Sequence, residues 1–95
     1  MADRGFYVIA YDIVDDKRRA KTARYLEAVA DRVQGSVFEA YLTQAELEKL
    51  LKKLCKVLAA KEDGLRVYAL CSACRERIRT EGLGKVTPPP GVRIV

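Results

Sequence analysis

Histidine is absent from this chain of 95 residues. Its absence excludes ribonucleases that cut by histidine general acid–base catalysis. Any phosphodiester chemistry here must therefore rely on a metal ion that carboxylates hold. Hard divalent cations such as Mg2+ prefer oxygen ligands and keep several waters, so one or two aspartates suffice.

Long apolar runs are also missing. No segment is long and apolar enough to span a membrane, and the first residues, MADRGF, lack the apolar stretch of a signal peptide. We therefore expect a cytoplasmic protein with no membrane partner. Asparagine is absent too and glutamine is rare, a depletion of thermolabile amides typical of proteins from hot environments.

Basic residues, in contrast, are abundant. Lysine and arginine together number 18 against 13 acidic residues, which gives a net charge of +5. Such a balance favours polyanionic partners. A chain of this length forms one small domain that buries a low fraction of its surface as a monomer, so a partner chain would stabilise it.

Three cysteines are present, Cys55, Cys71 and Cys74. The CSAC segment has the spacing of redox or zinc sites, but a structural zinc site needs four ligands, which this chain does not easily supply. A redox CxxC usually opens a helix after the first strand of a thioredoxin-like unit, whereas this one follows a late strand. We therefore favour a structural disulfide or two buried reduced thiols at a turn, and ordinary helix packing for Cys55.

The run GFYVIAYDIVDDKRR, residues 5–19, carries the strongest signal for chemistry. An apolar strand over 6–11 delivers the carboxylate of Asp12 at its end, and a buried strand end needs a partner for such a charge. That partner is either an adjacent arginine or a metal ion beside a basic helix, which indicates metal-assisted phosphodiester chemistry or nucleic-acid binding. The alternative is that Asp12 begins a turn and caps the helix.

Hydrophobic spacing predicts the first half of the fold. Burial on both faces is expected for the first strand, and a helix capped by Asp15 or Asp16 should follow and run to about residue 31. Its core stripe is predicted at Thr22, Leu26, Val29, Ala30 and Val33. Residues 32–38 are predicted as a strand whose glycine marks a bulge or a close backbone approach. A turn at 39–40 and a short strand at 41–42 are predicted to follow.

The second half has a clearer pattern. Thr43 and Glu46 form a predicted capping box before an amphipathic helix that Asp63 and Gly64 close. Its predicted buried stripe is Leu47, Leu50, Leu51, Leu54, Val57 and Leu58. A last alternating strand is predicted over 65–70.

The resulting order, βαββαβ, predicts an α+β ferredoxin-like sandwich with two helices on one face of an antiparallel sheet. The other face needs a cover, and a two-fold homodimer is the expected one. Residues 1–86 are predicted as this domain. Residues 87–95 are predicted as a proline-rich hinge and a C-terminal strand added to a sheet edge, the partner's in one arrangement, or alternatively as a frayed end.

In detail, the sequence resembles the CRISPR-associated protein 2 family. The resemblance is carried by YDI (11–13), DDKRR (15–19), RVQGSVFEAYLT (32–43) and LCSACRER (70–77), in order over about eighty residues. It implies a ferredoxin-like homodimer that acts in the adaptation stage of CRISPR immunity. Such dimers sit between two dimers of the integrase subunit, CRISPR-associated protein 1, and bind the duplex that becomes a new spacer. Several members are described as magnesium-dependent nucleases on single-stranded RNA or double-stranded DNA.

The resemblance also implies roles for single residues. Asp12 matches the aspartate that faces its symmetry mate and holds the metal, and it is the predicted catalytic residue. Arg19 matches the basic position of the following helix. Arg32 and Phe38 match the arginine and aromatic that flank the second strand, and Ser36 matches the serine between them.

Physical reasoning adds to these roles. Two symmetry-related Asp12 carboxylates would repel each other unless an ion or a proton lay between them. Arg18, Arg19 and Arg32 are predicted phosphate contacts, which carry no sequence information. Phe38 is expected to pack in the core or in the dimer rather than against a base.

Two functions of different classes follow. In the first, the homodimer is a Mg2+-dependent endonuclease on RNA or DNA and a partner of the integrase in spacer acquisition. In the second, it is a non-catalytic adaptor that clamps nucleic acid and positions the integrase. A regulatory or metabolite-binding domain is a third candidate, against which the lack of a glycine-rich phosphate loop and the excess of arginine count.

Overall fold

The computed structural model describes residues 3–82, 84, 86 and 87. Its elements, in chain order, are β1 (Gly5–Asp12), α1 (Asp16–Glu27), β2 (Asp31–Gln34), β3 (Val37–Leu42), α2 (Gln44–Val57), β4 (Gly64–Leu70) and α3 (Ser72–Glu76). The strands form one antiparallel sheet in the order β2-β3-β1-β4. This confirms the predicted ferredoxin-like βαββαβ fold. The predicted strand at the end of the chain falls outside the described residues.

Both faces of β1, the central strand, are buried as predicted only at Phe6 and Tyr7, and from Tyr7 onward burial alternates. Tyr7, Ile9 and Tyr11 point into the core with α1 and α2, whereas Val8 and Ala10 are only half-buried on the opposite side. Alternation is the expected result where helices cover one face of an antiparallel sheet. One sheet face is therefore available for other contacts.

Helix α1 begins as predicted and ends early. Asp15 is its N-cap, and the Asp15 carboxylate accepts a hydrogen bond from the amide of Arg18 at 2.9 Å. Thr22 and Leu26 are buried, and Ala30 packs partly buried against the core. Val29 and Val33 are 47% and 40% exposed, so the predicted core stripe is wrong at these two valines. The helix stops at Glu27 because the chain turns there to enter β2.

The segment after α1 is a hairpin rather than the predicted single strand over 32–38. Gly35 and Ser36 connect β2 to β3, and the predicted turn at 39–40 is the middle of β3. The irregularity in the ladder lies at Val33, because Arg32 pairs with Phe38 and Gln34 pairs with Val37. A glycine between two β-prone runs marks a two-residue hairpin connection more often than a bulge.

Helix α2 confirms the capping box. The Thr43 hydroxyl accepts from the Glu46 amide at 3.1 Å, and the Glu46 carboxylate accepts from the Thr43 amide at 2.8 Å. Leu47, Leu50 and Leu54 are its buried residues. The helix ends at Val57, so Asp63 does not close it as predicted. None of the helices in the described part of the chain is long and apolar enough to cross a bilayer.

Candidate functional site

The sheet face opposite α1 and α2 presents polar and apolar side chains together. We call it the open face, and the strand register assigns to it Phe6, Val8, Ala10, Asp12, Val37, Glu39, Tyr41, Arg66, Tyr68 and Leu70. Residues that are paired across an antiparallel ladder lie on the same side of a sheet, which gives this membership. The two ends of the face differ in what covers them.

One end of the open face is covered by later parts of the same chain. The guanidinium of Arg75 lies over the rings of Phe6 and Tyr41, at 5.9 Å and 5.4 Å from their centroids. Thr87 is buried there: its amide and hydroxyl both donate to Oε1 of Glu39, at 3.0 Å and 2.5 Å. The Tyr41 hydroxyl donates to the Thr87 carbonyl at 3.2 Å.

The other end of the open face is exposed and holds Asp12. A cleft of about 380 Å³, which we call the Asp12 cleft, is lined there by Ala10, Tyr11, Asp12, Gly64 and Arg66. Tyr68, on the same face, is 48% exposed. Over the described residues, no side chain or amide forms a hydrogen bond or an ion pair with the Asp12 carboxylate.

The structure excludes two of the roles predicted for Asp12, that of helix cap and that of partner to an adjacent arginine. Asp12 does not cap α1, because Asp15 does. The neighbouring arginines do not pair with it either, since Arg18 is bound to Asp63 and Arg19 to Asp16. Exposure at the strand end, rather than a protein partner, is what keeps this carboxylate solvated. The structure therefore leaves its oxygens available as ligands.

Arg18 joins the start of α1 to the segment before β4. Its Nε donates to Oδ2 of Asp63 at 2.8 Å, and its Nη2 donates to Glu62 at 3.0 Å. The Asp63 side chain is fully buried and also accepts from the Ala59 amide at 2.8 Å. The Arg18 hydrogen bond, followed by that amide, lowers the pKa of Asp63 below its ordinary value. This geometry gives Arg18 a structural role, in place of the predicted phosphate contact.

Arg19 and Arg32 face a second hollow of about 530 Å³, which we call the basic cleft. Its lining is Tyr11, Asp16, Arg19, Ala20, Ala23, Arg32, Gly35 and Ser36. Arg19 donates to the carbonyl of Ile13 at 2.9 Å and pairs with Asp16, so its guanidinium is held in place yet 45% exposed. The structure thus brings together three of the predicted site residues, Arg19, Arg32 and Ser36. Asp12 lies at the same end of the sheet, on the opposite face.

Phe38 lies in the core, as expected. Its side chain is 0% exposed, and its ring stacks on Tyr11 with centroids 6.1 Å apart. The Arg32 guanidinium lies 5.1 Å from the Phe38 ring centroid. Phe38 therefore supports the position of Arg32 and is closed to a nucleic-acid base.

Sequence reasoning missed Arg66, Tyr68 and Asp63. The alternation of the LRVYAL run assigns Arg66 and Tyr68 to one face of β4, and this signal was sufficient to group them with Asp12. No local signal connects Asp63 to Arg18, because the two are 45 positions apart.

The cysteines also differ from the prediction. Cys55, Cys71 and Cys74 are free and exposed, so neither a structural disulfide nor buried thiols describes them. Cys71 is the N-cap of α3, which follows β4 directly, and its sulfur accepts from the Cys74 amide at 3.4 Å. The pair therefore opens a helix after a strand and does not lie at a turn.

Comparison with known proteins places this geometry in a family. The family model for CRISPR associated protein Cas2 matches residues 5–78. The chain is 45% identical over 89 residues to a CRISPR-associated endoribonuclease Cas2 of Synechocystis sp., covering 94% of this chain and 97% of the relative. It is 42% identical over 89 residues to a CRISPR-associated endonuclease Cas2 of Thermus thermophilus, covering 94% and 91%.

Solved structures agree. A chain of a partial Cas6-RT-Cas1--Cas2 complex superposes with a TM-score of 0.75 at 27% identity, covering 96% of this chain and 99% of the other. The sequence match and the superposition therefore both extend over most of the chain. The chain belongs to the CRISPR associated protein Cas2 family.

Proposed function

We propose that this protein is a metal-dependent endonuclease that acts on RNA or DNA as a symmetric homodimer and works with the Cas1 integrase in spacer acquisition. The observation that carries the proposal is the Asp12 carboxylate at the exposed end of the open face, which has no hydrogen-bond or ion-pair partner among the described residues. The Synechocystis relative is named an endoribonuclease and the Thermus relative an endonuclease, and the similar solved complex combines Cas1 with Cas2.

The unequal cover of the open face supports the homodimer. Val8, Ala10 and Tyr68 form an apolar area that is half-buried or exposed in one protomer, and a second copy would bury it. Arg75 and Thr87 already occupy the other end. Face-to-face stacking therefore occurs toward the Asp12 end, and the two-fold axis brings the two Asp12 residues near each other.

Two adjacent carboxylates repel each other unless a cation or proton lies between them. A single protomer offers no group of three or more acidic, cysteine or histidine ligands within its described residues. The pair of Asp12 side chains is the donor set that the dimer supplies, and carboxylate oxygens are the ligands that Mg2+ prefers. Mg2+ bound there would supply charge stabilisation to a phosphodiester during displacement.

The remaining residues position the substrate. Arg66 lines the Asp12 cleft, where its guanidinium can bind a phosphate next to the carboxylate. Arg19 and Arg32 line the basic cleft and contact the backbone of the bound strand. None of these contacts reads a base, so cutting is expected to be independent of sequence.

The test compares wild type with Asp12→Asn, and uses Asp3→Asn as a control because Asp3 is an exposed aspartate outside the sheet. Each is incubated with single-stranded RNA and with duplex DNA, in Mg2+ or in EDTA. We expect Mg2+-dependent cutting by wild type and Asp3→Asn, and a loss of more than about a hundredfold in Asp12→Asn, since even groups that only orient a metal ligand contribute about ten- to a hundredfold. Light scattering must show a dimer throughout. Equal cutting by wild type and Asp12→Asn would refute the role of Asp12.

The second candidate, a non-catalytic adaptor of the integrase complex, is favoured by a different observation. Within the part of the chain that the structure describes, each protomer brings one free carboxylate, Asp12, to the open face, whereas the net charge of +5 and the basic cleft suit plain phosphate binding. If the protein is an adaptor, neither wild type nor Asp12→Asn cuts nucleic acid. Asp12→Asn should then bind duplex DNA and support integration as well as wild type does. Arg19→Gln and Arg32→Gln would weaken binding under both functions.

A further inference from the structure

Helix α3 carries two thiols that the nuclease and adaptor functions do not use. Cys71 is its N-cap and Cys74 lies in its first turn, and both are exposed. Residues three positions apart at the start of a helix have Cα atoms about 5 Å apart, which lies within the range of about 4.4–6.8 Å that a disulfide spans. The Cys74 amide already donates to the Cys71 sulfur at 3.4 Å. The two sulfurs are thus held on the same side of the first turn.

We propose that Cys71 and Cys74 form a reversible redox site, whose partner is a small-molecule disulfide such as oxidised glutathione. The Cys71 thiolate attacks one sulfur of the oxidant, breaks its disulfide and releases one thiolate. Cys74 then loses its proton and attacks the Cys71 sulfur of the mixed disulfide, which releases the second thiolate. Two electrons pass from the cysteine pair to the oxidant, and two protons end on the released thiols or in solvent.

The environment of the two sulfurs determines which cysteine attacks first. The Cys74 amide and thiol donate to the Cys71 sulfur and lower the pKa of Cys71, whereas the hydrogen bond to Cys71 raises the pKa of Cys74. Cys71 is therefore the attacking thiolate and Cys74 the resolving thiol, the division of work typical of CxxC pairs at helix starts. Arg75 follows at once in sequence, and its guanidinium lies over Phe6 and Tyr41. This anchor fixes the turn on the sheet.

A metal site does not explain the pair as well. The described residues contain no group of three or more cysteine, aspartate, glutamate or histidine side chains placed to hold an ion, so no further ligand joins the two sulfurs within one protomer. Cys55, on α2, is not part of the pair. It serves as an internal control for nonspecific oxidation.

The full-length protein is equilibrated in mixtures of reduced and oxidised glutathione, quenched with acid and alkylated. Trypsin leaves Cys71 and Cys74 in one peptide, residues 67–75, and Cys55 in another, residues 54–56. We expect the 67–75 peptide to lose two hydrogens and to resist alkylation, in one two-electron transition. The Cys55 peptide should still be alkylated where that transition is complete. Cys74→Ser should accumulate the Cys71–glutathione adduct, and Cys71→Ser should react more slowly than Cys74→Ser.

Three results would overturn the proposal. The 67–75 peptide could stay fully alkylated in oxidised glutathione, or it could collect glutathione on either cysteine without ring closure. The disulfide could also join Cys55 or a second chain. Mass spectrometry of the peptides distinguishes these results, and none of them requires nuclease activity. The outcome is therefore independent of whether the endonuclease proposal holds.

Discussion

Two aspartates at the same end of the sheet, Asp12 and Asp63, have opposite environments. Asp12 ends β1 and pairs in the ladder with Gly64, the residue directly after Asp63. The Asp63 side chain is fully buried and accepts hydrogen bonds from Arg18 and from the Ala59 amide, whereas the described residues give Asp12 no partner. A saturated carboxylate stabilises a fold, and a carboxylate with free oxygens can bind a ligand.

The largest effect on stability is expected at Asp63. In Asp63→Asn, the amide cannot accept all of the hydrogen bonds that the carboxylate accepts, and the Arg18 charge loses its partner. We expect a greater decrease in Tm than for any other carboxylate-to-amide change in the described chain. Glu62→Gln is the matched control, since Glu62 binds the same guanidinium from an exposed position. Thermal unfolding followed by circular dichroism measures both. If Asp12→Asn lowered the Tm as much as Asp63→Asn does, the two carboxylates would not differ in their contribution to stability.

The stability of the fold at low pH should also depend on Asp63. Because Arg18 lowers the pKa of Asp63 below its ordinary value of 3.8, the folded state binds a proton there less readily than the unfolded state. The resulting stabilisation is complete above that value and is lost as the pH falls through the lower pKa of the folded state. Glu46, whose pKa the Thr43 amide lowers, acts with the same sign.

We therefore expect the Tm of wild type to fall steeply between about pH 5 and pH 1, and that of Asp63→Asn to fall less. Thermal unfolding at a series of pH values measures the slope. Glu46→Gln should also reduce it. An unchanged slope in Asp63→Asn would show that this carboxylate does not govern acid unfolding.

A smaller difference is expected between Arg18 and the two arginines of the basic cleft, in their contributions to nucleic-acid binding. Arg19→Gln and Arg32→Gln should each lower the slope of log K against log salt by about one, because each removes a phosphate contact. Arg18→Gln should leave that slope unchanged and lower the Tm, because Arg18 is occupied by Asp63 and Glu62. Fluorescence anisotropy on a labelled duplex, over a range of salt, measures the slopes. A reduced slope in Arg18→Gln would restore it as a phosphate contact.

The smallest effect concerns Thr22 in α1. Its side chain is fully buried, and its hydroxyl finds no hydrogen-bond partner among the described residues. Thr22→Val replaces that hydroxyl with a methyl group of similar size and should raise the free energy of unfolding by about 1 kcal/mol. Urea unfolding measures the change, with Thr22→Ser as the control that keeps the hydroxyl and deletes the methyl group. A loss of stability in Thr22→Val would mean that the hydroxyl is satisfied.

The sequence predicted those parts of the fold that depend on local pattern. The capping box of Thr43 and Glu46, the apolar run of β1 and the order of elements all follow from spacing over a few residues. The β2–β3 hairpin was missed because a glycine inside an apolar run has two local meanings. The end of α1 was missed because Val29 and Val33 continue the helical spacing into a turn and a strand.

The candidate site depended on contacts that no local pattern contains. Arg18 and Arg19 are adjacent and chemically identical, and only the distant Asp63 separates their roles. Likewise, the position of Asp12 at a strand end was predictable from the sequence. That none of the described residues pairs with it became evident only once the caps and ion pairs of its neighbours were known.

The bond between Thr87 and Glu39 has a consequence for the geometry of the proposed dimer. It fixes a late point of the chain on the middle of β3, 48 positions from its partner, and so determines how much of the open face a second copy can touch. In the proposed dimer, a seated Thr87 would direct a second copy toward the Asp12 end of the open face. Release of Thr87, as in Glu39→Ala, which removes the oxygen that accepts both bonds, would uncover the middle of the open face to a second copy. Thr87, remote from the proposed site, would then act as a spacer between the two protomers.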